Sequence, residues 1–228
     1  MSVALDGPRI SASGGRATAL VAFLHGYGAD GADLIEIGHQ WRKLLPNAAF
    51  VAPHAPERCA ASPMGRQWFG LTSTAPDDPA GEEERWKGVV KAQGPIEAFL
   101  EAELARLGLD DSKLALVGFS QGTMMALHVG LRRKRPPAGI VGYSGMLVGA
   151  ERLKAGRTPG PPPPVLLVHG DRDPLIPVDA LFAATDALAA ADIPTQWHIS
   201  FGVAHGIDAG GLQHGGLFLA QALRGGRR

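Results

Sequence analysis

A five-residue run, Gly118-Phe119-Ser120-Gln121-Gly122, separates two stretches of opposite habit. Before it, Leu114-Ala115-Leu116-Val117 is a continuous apolar run, suited to a strand buried on both faces. After it, Thr123-Met124-Met125-Ala126-Leu127 has helix-forming composition. The chain therefore leaves a sheet, turns sharply at a serine and enters a helix at once. The two glycines suit a strained turn whose neighbours approach too closely for side chains. Such a turn lifts the serine hydroxyl clear of the sheet and points the first amides of the helix, beginning with Gln121, at whatever the hydroxyl meets.

The same alternation runs along the chain. Apolar runs at 19–24, 49–52, 114–118, 139–143, 165–169 and 196–201 predict strands, with helices near 32–45, 93–107, 121–134, 179–191 and 207–224. An α/β fold follows, with a mostly parallel central sheet and helices on both faces. At 228 residues and 45% hydrophobic, one domain over 1–228 is the economical reading. Thr158 through Pro164 holds five prolines but feeds a core strand, which makes it a stiff surface loop rather than a linker. Residues 53–92 read as a long irregular segment, broken by Pro53, Pro56, Pro63, Pro76 and Pro79 and acidic at Asp77, Asp78 and Glu82 to Glu84. A loop of that length in a compact domain suggests a cover over a site. The tail Arg224 to Arg228 is expected to be mobile.

A serine at such a turn attacks a carbonyl only with a base beside it and an acid to orient the base. Val165 to Gly170 predicts a buried strand followed by Asp171-Arg172-Asp173-Pro174, and the later strand ending near Phe201 is followed by Gly202-Val203-Ala204-His205. Acids on loops leaving parallel strands lie at the edge where α/β sites assemble. Ser120, acid and His205 stand in the chain order of α/β-hydrolases. Asp173 is the favoured acid, and Asp171, which can instead cap the turn, is its competitor. His25 and His169 each end an apolar strand and are expected to hold a loop in place, while His39, His54, His128, His198 and His214 have no acid placed as Asp173 is. Charge developing on the attacked oxygen calls for two amide donors. Gln121 offers one, and Tyr27, between Gly26 and Gly28 after the strand Ala19 to Leu24, offers the second and a ring to line an acyl pocket.

Leu24-His25-Gly26-Tyr27-Gly28-Ala29-Asp30-Gly31, Gly118 to Gly122, His169 to Pro177 and the late His205 together resemble the small carboxylesterase/lysophospholipase family of α/β-hydrolases, which includes acyl-protein thioesterases. The resemblance spans nearly the whole chain. It implies Ser120 as nucleophile, Asp173 rather than Asp171 as acid, His205 as base, and Tyr27 and Gln121 as oxyanion donors, with no cofactor. It implies cleavage of short- to medium-chain acyl esters through an acyl-enzyme, or of lysophospholipids or acyl-protein thioesters, and a homodimer. Arg66-Gln67-Trp68-Phe69 resembles the family's tryptophan segment near the acyl site, so Trp68 and Phe69 are expected to wall the pocket with Tyr27. Two positions depart from the family pattern: Gly70 stands where an acid is common, and Tyr27 where a smaller apolar residue is usual. A non-catalytic binding protein on the same fold is the rival of another class, and such proteins typically lose a triad residue.

Composition narrows the partners. Lys plus Arg equal Asp plus Glu at 22 each, so no overall field favours nucleic acid or an acidic membrane. The local run Arg132-Arg133-Lys134-Arg135 ends a predicted helix, where cations complement the carbonyl terminus. The single cysteine, Cys59, excludes an intrachain disulfide, and no metal-binding motif accompanies the eight histidines. Met1 to Asp6 has no basic-then-apolar leader and no apolar run reaches spanning length, so a small-molecule ester substrate, no stable membrane insertion and a cytoplasmic location are expected.

Overall fold

The computed structural model describes residues 4–75, 78–156 and 160–224. Pro76, Asp77, Thr158, Pro159 and the tail beyond Arg224, to which some of the expectations above refer, lie outside them. Seven strands form one sheet: β1 (Arg9–Ile10), β2 (Ala19–Leu24), β3 (Ala48–Val51), β6 (Leu114–Phe119), β7 (Gly139–Tyr143), β8 (Val165–Gly170) and β9 (Thr195–Ser200). Their spatial order is β1-β3-β2-β6-β7-β8-β9. All neighbours pair in parallel except β1, which runs antiparallel to β3 at the edge. A second, two-stranded sheet pairs β4 (Glu57–Cys59) with β5 (Ser62–Gln67).

Alternation along each central strand feeds two cores. Leu20, Ala22, Leu24, Leu114 and Leu116 join one cluster, and Val21, Phe23, Ala115 and Val117 join the other. The first lies beneath α2 (Pro79–Leu107), α3 (Gln121–Arg132) and α5 (Asp179–Ala190). The second lies beneath α1 (Gly31–Trp41) and α6 (Ala209–Arg224). A strand covered on both faces needs no polar alternation, which is why these runs read as unbroken apolar sequence. Each buried Leu, Val or Phe contributes about 1.5–3 kcal/mol, so these strands supply much of the burial that stabilises the fold. A short helix, α4 (Leu153–Gly156), completes the α-helices of the described residues.

Two departures from expectation fall between 53 and 92. The segment is not irregular throughout: Glu57–Cys59 and Ser62–Gln67 form the β4–β5 hairpin, and α2 begins at Pro79 rather than near 93. Pro79 stands at the helix start, where its missing N–H costs nothing. Asp78 caps that end, its carboxylate accepting from Gly81 N at 3.1 Å. Glu82 to Glu84, part of the acidic run that suggested a surface loop, instead sit in the first turns of a helix, where negative charge meets the positive end of the backbone dipole. The basic run at 132–135 is partly absorbed as well, since Arg133 is buried with Nε 2.6 Å from Asp111 Oδ1. No helix among the described residues is long and apolar enough to cross a membrane.

Candidate active site

Because β2 and β6 to β9 are parallel, their carboxyl ends share one edge, and the loops that carry Tyr27, Ser120, Asp173 and His205 leave from it. Ser120 is the hinge between β6 and α3, with φ 54° and ψ −117°, a backbone state that L-residues rarely adopt. Packing enforces it. A methyl group on Gly122 would lie 1.7 Å from Leu24 O, and one on Gly118 would lie 2.3 Å from Gly122 O. The backbone of Ser120 is tied across the sheet by its N–H to Tyr143 O at 2.9 Å. Gln121 is the first helical residue, so no earlier helical carbonyl lies in position to accept its amide.

The loop after β2 reaches over this turn. A methyl on Gly26 would sit 3.4 Å from Ser120 Cβ and 3.0 Å from the Phe119 ring, so the loop passes beside the serine at Gly26, one residue before Tyr27. The loop is held from two sides. Gly28, at φ +82°, donates to Arg66 O at 2.9 Å, and Arg66 donates back to Ala29 O at 2.8 Å, which clips it to β5. Beneath, the buried His25 ring accepts from Ala55 N at 3.0 Å through Nε2 and contacts Gly26 O at 2.8 Å through Nδ1. That pattern puts the proton on Nδ1, and burial pushes the imidazole below its ordinary value, which keeps it neutral. The Tyr27 phenol is half-buried beside Cys59 of β4, and the thiol together with burial holds it above its ordinary value.

Asp173 and His205 meet across the next two loops. Asp173 is 0% exposed in its side chain, and its Oδ2 accepts from His205 Nδ1 at 2.7 Å. Oδ1 accepts from Leu175 N at 2.9 Å and Ile176 N at 3.0 Å. Three donors therefore converge on one carboxylate that is removed from water. The His205 loop is fastened by Arg172 N to Val203 O at 3.0 Å and by Ser144 Oγ to Gly206 O at 2.9 Å. His205 also packs on Phe119, ring centroids 5.0 Å apart, which sets it beside the Ser120 turn. Asp171 points elsewhere. Its Oδ1 accepts from Gly202 N at 2.5 Å, the turn-capping role weighed against it from sequence.

Two expected pocket residues sit elsewhere. Trp68 is 1% and Phe69 2% exposed, and both belong to the core beneath the site rather than to an open wall. Trp68 Nε1 donates to His25 O at 2.9 Å, and its ring packs on His25 at 5.2 Å between centroids. Their placement exposes a role that the sequence reading missed, that of the Gln121 side chain. Its Oε1 accepts from Trp68 N at 3.0 Å and its Nε2 donates to Phe69 O at 2.8 Å. The residue whose amide opens α3 thus clamps the 68–69 backbone with its side chain. A lone glutamine after a serine carries no signal of such a partner some fifty positions away. Among the described residues no group of three or more His, Cys, Asp or Glu could hold a metal ion.

Comparison with known proteins agrees with this architecture. A family model described as Phospholipase/Carboxylesterase matches residues 5–223. The chain is 31% identical over 164 residues to acyl-protein thioesterase 1 of Schizosaccharomyces pombe, covering 70% of each protein. Among solved structures, esterase PE8 superposes with a TM-score of 0.90 at 42% identity, over 97% of this chain and 100% of that one. Arabidopsis thaliana SOBER1 shares the fold at 23% identity, with a TM-score of 0.78 over 90% of this chain and 99% of that one. With one family model spanning almost every described residue and an esterase sharing the fold end to end, the chain belongs to the phospholipase/carboxylesterase family of α/β-hydrolases, and it is an ester-cleaving enzyme.

Proposed function

We propose that the reaction is a two-step serine hydrolysis with Ser120 as nucleophile, His205 as base and Asp173 as orienting acid. The observation that carries this reading is the 2.7 Å bond from His205 Nδ1 to a fully buried Asp173 carboxylate. That bond leaves Nε2 as the free face of the imidazole. His205 Nε2 takes the Ser120 hydroxyl proton as Oγ bonds to the acyl carbon. The carbonyl oxygen gains the charge, and the amides of Tyr27 and Gln121 hold it. The tetrahedral species collapses as His205 returns the proton to the leaving oxygen, which departs as the alcohol. Water then repeats the sequence on the acyl-enzyme, giving the acid and restoring Ser120. Each oxyanion donor of this kind is worth about 3–4 kcal/mol at the transition state.

Substrate choice is the finer part of the proposal. Tyr27 follows Gly26, which packs against Ser120, and its half-buried ring stands where a smaller apolar residue is usual. On this reading the ring shortens the acyl pocket, so short acyl groups are preferred over palmitoyl-sized ones. Hydrolysis of p-nitrophenyl esters of increasing acyl length tests both parts. Activity highest from acetate to hexanoate is expected. Tyr27→Leu should hold short-ester turnover within about tenfold and improve octanoate relative to acetate. A wild-type optimum at long chains, unchanged in Tyr27→Leu, would withdraw the short-chain reading and leave the triad standing. A second reading, thioesterase action on acylated proteins, is favoured by the Schizosaccharomyces pombe relative. Oxoester and thioester of one acyl group, assayed side by side, separate the two.

A further inference from the structure

The Asp173 carboxylate is surrounded by more donors than are needed to orient one imidazole. Besides His205 at 2.7 Å, a second imidazole approaches Oδ2, with His169 Nε2 at 3.3 Å. His169 is the penultimate residue of β8, and its side chain is 1% exposed. The same Nε2 lies 2.8 Å from the carbonyl oxygen of Ile176, the residue whose N–H binds Asp173 Oδ1. A carbonyl oxygen can only accept, so Nε2 carries the proton and Nδ1 of the neutral ring is bare. Burial pushes this imidazole below its ordinary value, with the Ile176 carbonyl and Asp173 opposing part of that effect. Asp173 and His205 are the titratable groups that act on the ring. Around the rest of it Thr123, Leu127, Met146, Leu181 and Ala184 line one small void, and none of them ionises.

We propose that His169 is a positioning residue for the reaction: its Nε2–H, shared between Ile176 O and Asp173 Oδ2, closes the turn that carries the acid and draws part of the carboxylate charge away from His205. The inference rests on Asp173 and His205 acting as acid and base. A donor on Oδ2 weakens that oxygen's hold on a protonated His205. Removing the donor strengthens it, so the base stays protonated to higher pH.

The acid limb of kcat/KM reports the base of the free enzyme and reads this directly. His169→Phe keeps a flat ring without a donor, and its limb should move upward by roughly half a unit. His169→Gln can still donate and should return the limb to the wild-type position. Long-range proton–nitrogen spectra of the wild-type protein should show His169 protonated on Nε2 alone from about pH 6 to about pH 9. An unmoved limb in active His169→Phe, a proton on Nδ1, or His169 titrating along the limb would each overturn the proposal. If His169→Phe does not fold, the wild-type spectra decide. The reading beneath fails differently, since His205→Ala would then remain active.

Discussion

At the scale of single residues, the turn at Ser120 and the order of serine, acid and histidine were readable because each depends on local chemistry. Glycines flank a serine between a strand and a helix, and an acid and a histidine follow later strands. Local sequence favours Asp173 but leaves Asp171 as a competitor, since both leave the same strand two residues apart, and the family resemblance decides between them. The choice depends on which carboxylate turns inward, and in the structure Asp173 meets His205 while Asp171 caps Gly202. Replacing Ser120 or His205 by Ala is expected to cut ester turnover by about four to six orders of magnitude, as cooperating groups do elsewhere. Asp173→Asn should lose about four orders, because the amide favours the wrong imidazole tautomer. Asp171→Asn keeps an oxygen to accept from Gly202 and should stay within about threefold of wild type. Steady-state rates on one p-nitrophenyl ester rank all four, and an essential Asp171 beside a dispensable Asp173 would reverse the assignment.

Elements were legible where burial is two-sided and obscure where it is not. Five interior strands, β2, β3, β6, β7 and β8, appear in the sequence as apolar runs, and the structure keeps them within a residue or two, as it does the edge strand β9, whose burial is only partial. The hairpin Glu57–Gln67 has no such signature, since Ser62-Pro63-Met64-Gly65 neither alternates nor buries a continuous face and is held by backbone pairing instead. The first half of α2 hid for another reason. Its buried stripe is Gly81, Arg85, Val89 and Ala92, helical in spacing but half of it glycine and arginine. Arg85 is buried there because its guanidinium donates to Ser73 O at 2.8 Å and Ala75 O at 3.3 Å and pairs with Glu82 at 3.1 Å. Asp78→Ala should lower stability by about 1 kcal/mol through loss of the cap. Gln121→Ala preserves the backbone amide but strands Trp68 N and Phe69 O, two buried polar groups, and should cost about 2–4 kcal/mol. Chemical denaturation of the two variants checks both figures, and a Gln121→Ala protein as stable as wild type would show that the clamp is idle.

For the whole molecule, pH acts on stability through histidines that lie under the sheet's helices. His128 is buried on α3 with Nε2 3.0 Å from Gln93 Oε1, and burial together with Arg132 pushes its imidazole down to about 3. His25 and His169 are shifted in the same direction, mainly by burial. The folded protein therefore binds these protons less readily than the unfolded chain. The stability tied to them is fully present above the ordinary histidine value and is lost as pH falls from there toward the depressed folded values. Each such group contributes up to about 1.4 kcal/mol of loss per pH unit across that window. Melting curves between about pH 7.5 and about pH 5 should show this fall, and His128→Gln, which retains a donor for Gln93, should make it shallower. The central claim, that Ser120 carries the acyl group under the Asp173–His205 pair, is tested most directly by mass spectrometry of enzyme quenched during turnover of p-nitrophenyl acetate. The account predicts one acetyl group on the peptide containing Ser120, none in Ser120→Ala, and only slow labelling in His205→Ala. Acetylation that persists in Ser120→Ala at the wild-type rate, or that maps to another side chain, would contradict it.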